Sequence, residues 1–167
     1  IESVPGAGTT VRVDLPWWIG QASGPDPTPV PRAAARPARP ATILLVEDQD
    51  EVRRFARLAL VGRGHTVHDC GSGEEALELV RAGLAFDVLV SDVLMPGMDG
   101  RELAARLNAL RPDVGVVLMS GYMPEGEHER QLDRAVFLAK PFPPAELFTA
   151  VDKALRRAVR GAACPSN

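Results

Sequence analysis

Val88-Leu89-Val90-Ser91-Asp92 decides the fold of this chain. An apolar run suited to a buried strand ends in a carboxylate. Val93-Leu94-Met95-Pro96-Gly97-Met98-Asp99-Gly100 follows, with the chemistry of a loop. In open α/β sheets, ligands bind outside the carboxyl ends of the strands. Asp92 is therefore the first candidate functional residue, and its partners must come from other strand ends.

The flanking sequence supplies those strands. From Ala41 onward, apolar runs alternate with helical periodicity. Residues 42–46 read as a continuous apolar strand, and residues 50–63 as a helix in which Val52, Phe55, Ala56, Leu58 and Ala59 recur at i, i+3, i+4. Gly62 and Gly64 stop that helix. Residues 65–69 form a second strand. Ser72-Gly73-Glu74-Glu75 has capping-box spacing and starts a helix through Arg81. Residues 87–91 are the third strand. Asp99-Gly100-Arg101-Glu102 repeats the cap spacing and opens a helix to Leu110, with Pro112 just beyond. Residues 114–119 and 135–139 are the fourth and fifth strands, separated by a weak polar helix over 124–133. The last helix spans 144–160, with Leu147, Phe148, Val151, Ala154, Leu155 and Ala158 as its apolar stripe. Five β-α units predict an α/β fold, a doubly wound five-stranded parallel sheet with five helices. Right-handed crossovers then gather every strand's carboxyl end at one edge.

That edge collects Glu47-Asp48 from the first strand, Asp92 from the third, Ser120 from the fourth and Lys140 from the fifth. Taken singly, each has an ordinary reading: a helix cap, a helix N-terminal acid, a solvated lysine. Together they are three carboxylates that repel, with an ammonium and a hydroxyl beside them. Oxygen ligands without sulfur or imidazole suit Mg²⁺. A small oxyanion beside such a metal suits phosphoryl transfer, with Asp92 as nucleophile.

These pieces resemble the receiver domain of two-component response regulators. The resemblance rests on Leu44-Leu45-Val46-Glu47-Asp48, Val90-Ser91-Asp92 with Met95-Pro96-Gly97-Met98-Asp99-Gly100, Met119-Ser120-Gly121 and Lys140-Pro141-Phe142. It implies a flavodoxin-like sheet of strand order 2-1-3-4-5 and a phosphorelay function that switches conformation. By resemblance, Asp92 is the phosphoacceptor for a phosphohistidine. Asp48, Asp92 and the Leu94 backbone carbonyl bind Mg²⁺, and Glu47 holds a metal-bound water. Lys140 pairs with the phosphoryl group, Ser120 bonds a phosphoryl oxygen, and Phe137 is the aromatic switch. Lys140-Pro141 is expected to be cis. The bulky Leu94 and Tyr122 are expected to shield the acyl phosphate from water. His65, His68 and His128 read as structural or surface residues. A phosphate-independent interaction module and an Mg²⁺-dependent phosphatase remain as other classes.

The front of the chain is different. Gly6 and Gly8 read as a turn, and residues 10–15 alternate as a half-buried strand with no partner of its own. Ile1-Glu2-Ser3-Val4-Pro5-Gly6-Ala7-Gly8-Thr9-Thr10-Val11-Arg12-Val13-Asp14-Leu15-Pro16 resembles the last glycine box and final strand of a histidine kinase ATP-binding domain. This implies four parts: residues 1–18 as a remnant of that domain, 19–40 as a Pro/Ala/Arg-rich linker, 41–160 as the receiver and 161–167 as a tail. The parent would be a hybrid sensor histidine kinase, of which this segment is the phosphoacceptor and not itself the kinase. A chain starting at Ile1 fits an internal segment. The phosphodonor would be the histidine of that kinase, with a histidine phosphotransfer protein as a further partner and a homodimer left open.

Composition adds exclusions. The 167 residues are 46% hydrophobic and carry a net charge of −3, which gives no reason to expect nucleic acid or a membrane surface as partner. No apolar run approaches the ~20 residues of a membrane-spanning helix. Cys70 and Cys164 lack metal-ligand spacing and read as reduced thiols of a cytoplasmic protein, any membrane anchor lying outside this segment.

Overall fold

The computed structural model describes residues 2–4, 8–10, 12, 39–121 and 135–162. The chain divides into two units, residues 1–33 and 34–167. In the first, β1 (Glu2–Val4) pairs antiparallel with β2 (Gly8–Thr10), Glu2 opposite Thr10 and Val4 opposite Gly8. Gly8 thus stands in a strand rather than in the turn. The strand expected over 10–15 shares only Thr10 with β2, and Arg12 stands outside any strand. Val11 and residues 13–15 lie outside the described residues.

The second unit holds β3 (Thr42–Val46), α1 (Asp50–Arg63), β4 (Thr66–Cys70), α2 (Gly73–Arg81), β5 (Val88–Asp92), α3 (Gly100–Leu110), β6 (Gly115–Ser120), β7 (Val136–Ala139) and α4 (Pro144–Ala162). The five strands lie parallel in the order β4-β3-β5-β6-β7, which is 2-1-3-4-5 within this unit. Four helices stand among the described residues; the helix expected over 124–133 lies outside them.

Alternation along the strands divides the core in two. Leu44, Val46, Leu89, Val116 and Leu118 point to one face, where Ala76 and Leu77 of α2 and Leu103, Ala104 and Leu107 of α3 cover them. Ile43, Leu45, Val88, Val90, Val117 and Met119 point to the other, under Ala56 and Leu60 of α1 and Leu147, Ala150, Val151 and Ala154 of α4. A strand buried on both faces needs no polar alternation, so β3, β5 and β6 read as apolar runs. β4 is an edge strand with solvent on one side, and most of it is exposed.

Local chemistry sets the helix ends. The Ser72 hydroxyl accepts the Glu75 N–H at 3.2 Å, and the Asp99 carboxylate accepts the Glu102 N–H at 2.7 Å. Both caps stand where the spacing put them. Gly64 closes α1 at φ 103°, in the left-handed region that suits glycine, and donates to the Leu60 and Val61 carbonyls.

Two details depart from the sequence expectations. β4, β5, β6 and β7 start one residue later than expected, because pairing decides where a strand begins. The Asp87 carboxylate, for instance, turns back to accept the Thr42 N–H at 2.8 Å and so stays outside β5. The apolar stripe of α1 is also rotated. Ala56 and Leu60 face the sheet, while Phe55 and Leu58 are 43% and 59% exposed. Small Ala56 allows close approach to the sheet, and the bulkier residues are turned outward.

His65 is buried beside this core, and its Nδ1 accepts the Ala41 N–H at 3.2 Å. Burial and the nearby Arg63 charge push its pKa below the ordinary 6.5. Protons therefore bind the unfolded chain more readily. Stability from neutral His65 is present above 6.5 and is lost as pH falls through that value toward the native one. Urea unfolding at about pH 7 and about pH 5 should show a smaller acid loss in His65→Asn, whose amide oxygen can accept the same N–H without titrating. A second test concerns Gly115, where an added Cβ would lie 2.8 Å from the Ala154 carbonyl oxygen of α4. Gly115→Ala should force β6 and α4 apart and cost about 1–3 kcal/mol in urea unfolding.

Candidate functional site

Parallel register brings the strand ends level. Val46 pairs with Ser91, Asp92 with Met119, and Ser120 with Ala139. The chain then continues the pattern beyond the ladder: Val93 N–H donates to the Met119 carbonyl at 2.9 Å and Lys140 N–H to the Ser120 carbonyl at 2.8 Å. The residues that end β3, β5, β6 and β7 therefore share one edge, as the sequence required.

Glu47 is fully buried, Asp92 and Ser120 are buried, and Asp48 is half-buried. One carboxylate oxygen from each of Glu47, Asp48 and Asp92 lies within 4.8 Å of the others. Lys140 Nζ reaches into this cluster, 2.7 Å from Glu47 Oε2 and 2.8 Å from Asp92 Oδ2. Burial raises the Glu47 carboxyl above its ordinary value, although the Lys140 hydrogen bond and charge oppose it. Burial would lower the Lys140 ammonium, but hydrogen bonds to Asp92 and Glu47 outweigh it, and its pKa is raised. Lys140 is thus held as a cation inside the site.

Asp48 Oδ1 is buried and accepts no hydrogen bond. A buried carboxylate oxygen without a donor is costly, and a hard cation is the partner this all-oxygen set suits. The residues present therefore fit a divalent metal ion.

The loop after Asp92 is held from two sides. Gly100 N–H donates to the Val93 carbonyl at 3.0 Å. Glu74, from the first turn of α2, accepts the Met98 N–H at 3.0 Å. Gly97 sits at φ 75°, and a Cβ there would come within 2.9 Å of Glu74 Oε1. Leu94, between these ties, is 70% exposed; Tyr122 lies outside the described residues. Phe137 is half-buried on β7 and packs against the core that α2 and α3 cover. Lys140-Pro141 is cis, as expected.

Two residues near the acids were not singled out from sequence. Arg53 of α1 donates to the Glu47 carbonyl at 2.6 Å, and Glu74 anchors the loop of Asp92. Arg53 stands three residues after Asp50, a spacing for helical ion pairs. Glu74 stands within the Ser72–Glu75 capping sequence. Neither spacing reveals a contact made across elements.

Residues 43–152 match the family model of the response regulator receiver domain. The chain belongs to that family. Sensor kinase CckA of Brucella abortus is 39% identical over 166 residues, covering 93% of this chain but only 17% of that protein. The receiver protein CpdR of Brucella abortus is 34% identical over 118 residues, 68% of this chain and 95% of that one. A crystal structure of a response regulator receiver protein from Sinorhizobium medicae superposes with a TM-score of 0.66 at 28% identity, covering 72% of this chain and 98% of that one. This receiver is a phosphorelay signalling domain whose acidic pocket is Glu47, Asp48 and Asp92. None of its described helices is long and apolar enough to cross a membrane.

Cys70 lies against the receiver site, its carbonyl accepting the Glu47 N–H at 3.2 Å. Burial pushes its thiol up to about 12, with the Glu75 charge adding to the effect. In the Cys164→Ser variant, iodoacetamide should label folded protein about a hundredfold or more slowly than urea-unfolded protein, because the thiolate is the reactive form.

Proposed function

We propose that Asp92 is the phosphoacceptor and that the site is loaded with Mg²⁺. The observation that carries this reading is the Lys140 ammonium, 2.7 Å from Glu47 and 2.8 Å from Asp92, beside the unpartnered Asp48 Oδ1. In the reaction, Asp92 Oδ1 attacks the phosphorus of a phosphohistidine. A P–O bond forms, the P–N bond breaks, and the imidazole leaves with the electron pair. Asp92 and Asp48, with the Leu94 carbonyl, would hold the metal directly, and Glu47 through a water. The metal would supply charge stabilisation for the transferring oxygens. Lys140 passes from the Asp92 carboxylate to the phosphoryl group. Ser120 donates its hydroxyl to a phosphoryl oxygen. Phe137 reports the change by shifting against the core it already touches.

The phosphodonor in this reading is the histidine of a histidine kinase, and a histidine phosphotransfer protein is the further acceptor. Support for a hybrid kinase parent comes from the match to sensor kinase CckA, which covers 93% of this chain and so runs past the receiver match at 43–152. Residues 1–18 then belong to the end of an ATP-binding domain, and 19–40 form the linker.

Acetyl phosphate with Mg²⁺ tests the site directly. Intact-mass analysis should show one added phosphoryl group in wild type, lost on chelation of the metal and absent in Asp92→Asn. Labelling that survives in Asp92→Asn would overturn the assignment. No adduct in wild type would favour a phosphate-independent interaction module.

A further inference from the structure

Arg53 carries a charge that the proposed reaction does not use, and it reaches directly into the acidic loop. Its side chain is only 21% exposed and reaches three partners at once. Nη1 donates to the Glu47 backbone carbonyl at 2.6 Å. Nη2 pairs with Asp50 of the same helix. Nε lies 3.7 Å from Asp69 Oδ2 on β4. Its Nη1 also closes over Gly71, where a Cβ would come within 3.4 Å. Asp69 is held in turn by Arg57 at 2.9 Å. The peptide so clamped joins Glu47 to Asp48, and the Glu47 N–H is tied on its other side to the Cys70 carbonyl at 3.2 Å.

We infer that Arg53 is a positioning residue for the cation site: it fixes the Glu47–Asp48 peptide against the end of β4 and thereby sets metal affinity. This inference rests on the proposed loading of the site with Mg²⁺. The physical reason is the repulsion among the acids. Three carboxylates within 4.8 Å of one another tend to splay apart when no metal holds them. Asp48 Oδ1, with no hydrogen-bond donor, has no tie of its own. Its placement depends on its backbone, and Arg53 is the side chain that grips that backbone. The fork matters as well as the charge. A planar guanidinium can bond a carbonyl and two carboxylates in fixed directions, whereas an ammonium is a point donor.

Charge and clamp make opposite predictions. Removing a positive charge near an acidic cluster would by itself tighten Mg²⁺ binding. Removing a clamp would weaken it. The clamp wins because the Arg53 charge is already offset by Asp50 and Asp69. Groups outside the metal's direct ligands commonly change affinity about 10–100-fold when mutated.

The test measures Mg²⁺ dissociation constants by amide-shift titration of wild type, Arg53→Gln, Arg53→Lys and Arg63→Gln. Arg63 is a matched control on the same helix. It pairs with Asp152 at 2.7 Å and stacks on Phe148, away from the acids. Arg53→Gln should bind Mg²⁺ about 10-fold more weakly, with Arg53→Lys between it and wild type. Arg63→Gln should bind as wild type does, even where its unfolding midpoint falls. With acetyl phosphate, the Mg²⁺ concentration for half-maximal labelling should rise in Arg53→Gln while the rate at saturating Mg²⁺ stays near wild type. A metal-free readout accompanies these: the Gln49 amide, which donates to Glu47 Oε1 at 3.4 Å, should exchange faster in Arg53→Gln. Equal or tighter Mg²⁺ binding by Arg53→Gln, with wild type binding normally, would overturn the inference and leave the proposed function intact. Failure of wild type to bind Mg²⁺ would overturn both.

Discussion

Everything at the active edge depends on the balance of charge around Lys140. Three carboxylates and one ammonium leave two negative charges in a largely buried space. Unit charges 4.8 Å apart repel by about 3 kcal/mol at an effective dielectric of 20. One lysine offsets only part of this, and it does so by binding Glu47 and Asp92, leaving Asp48 aside. A doubly charged cation would complete the balance and give the Asp48 oxygen a partner. Burial above all raises the pKa of Glu47, and the neighbouring Asp92 charge adds to it.

The fold exists to hold that unfavourable cluster in place. Repulsive groups stay together only if the elements carrying them cannot move apart. Here each acid ends or follows a strand whose side chains feed both cores: in β3, Leu44 and Val46 on one face, Ile43 and Leu45 on the other. Full burial of a Leu or Val side chain is worth about 1.5–3 kcal/mol, so a few such residues on a strand outweigh the repulsion at its end. The parallel register then converts core packing into alignment of the acids, because pairing of Val46 with Ser91 fixes Glu47 beside Asp92.

Much of this was legible in the sequence because it is local or periodic. Apolar runs gave the strands, cap chemistry at Ser72 and Asp99 gave two helix starts, and strand-end position gave Glu47, Asp48, Asp92, Ser120 and Lys140. What escaped was set by tertiary contact. The face of α1 turned to the sheet is chosen by how closely Ala56 can approach, which the bulk of Phe55 and Leu58 disguised. Strand starts were misplaced by a residue because side chains such as Asp87 bond backward to a neighbouring strand. The β1–β2 pairing was hidden because Gly8, which reads as a turn residue, stands in a strand. Arg53 and Glu74 act on backbone groups outside their own helices, and no helix-spacing rule encodes such a contact.

Those two residues also suggest how a change at Asp92 reaches the rest of the domain. Arg53 belongs to α1, in the helical layer over Ile43 and Leu45. Glu74 belongs to α2, in the layer over Leu44 and Val46. One grips the loop of Glu47 and Asp48, the other the loop that follows Asp92. Each loop of the acidic site is therefore wired to a different face of the sheet. In the proposed reaction, closing the acids around a cation and a phosphoryl group would pull on both ties at once. Lys140 would add a third connection, since in the proposed reaction it leaves Asp92 for the phosphoryl group, and it follows β7, where Phe137 rests on the core under α2 and α3. A site built from ties to separate layers cannot change its charge without shifting the balance between those layers, and this coupling is what a signalling domain requires.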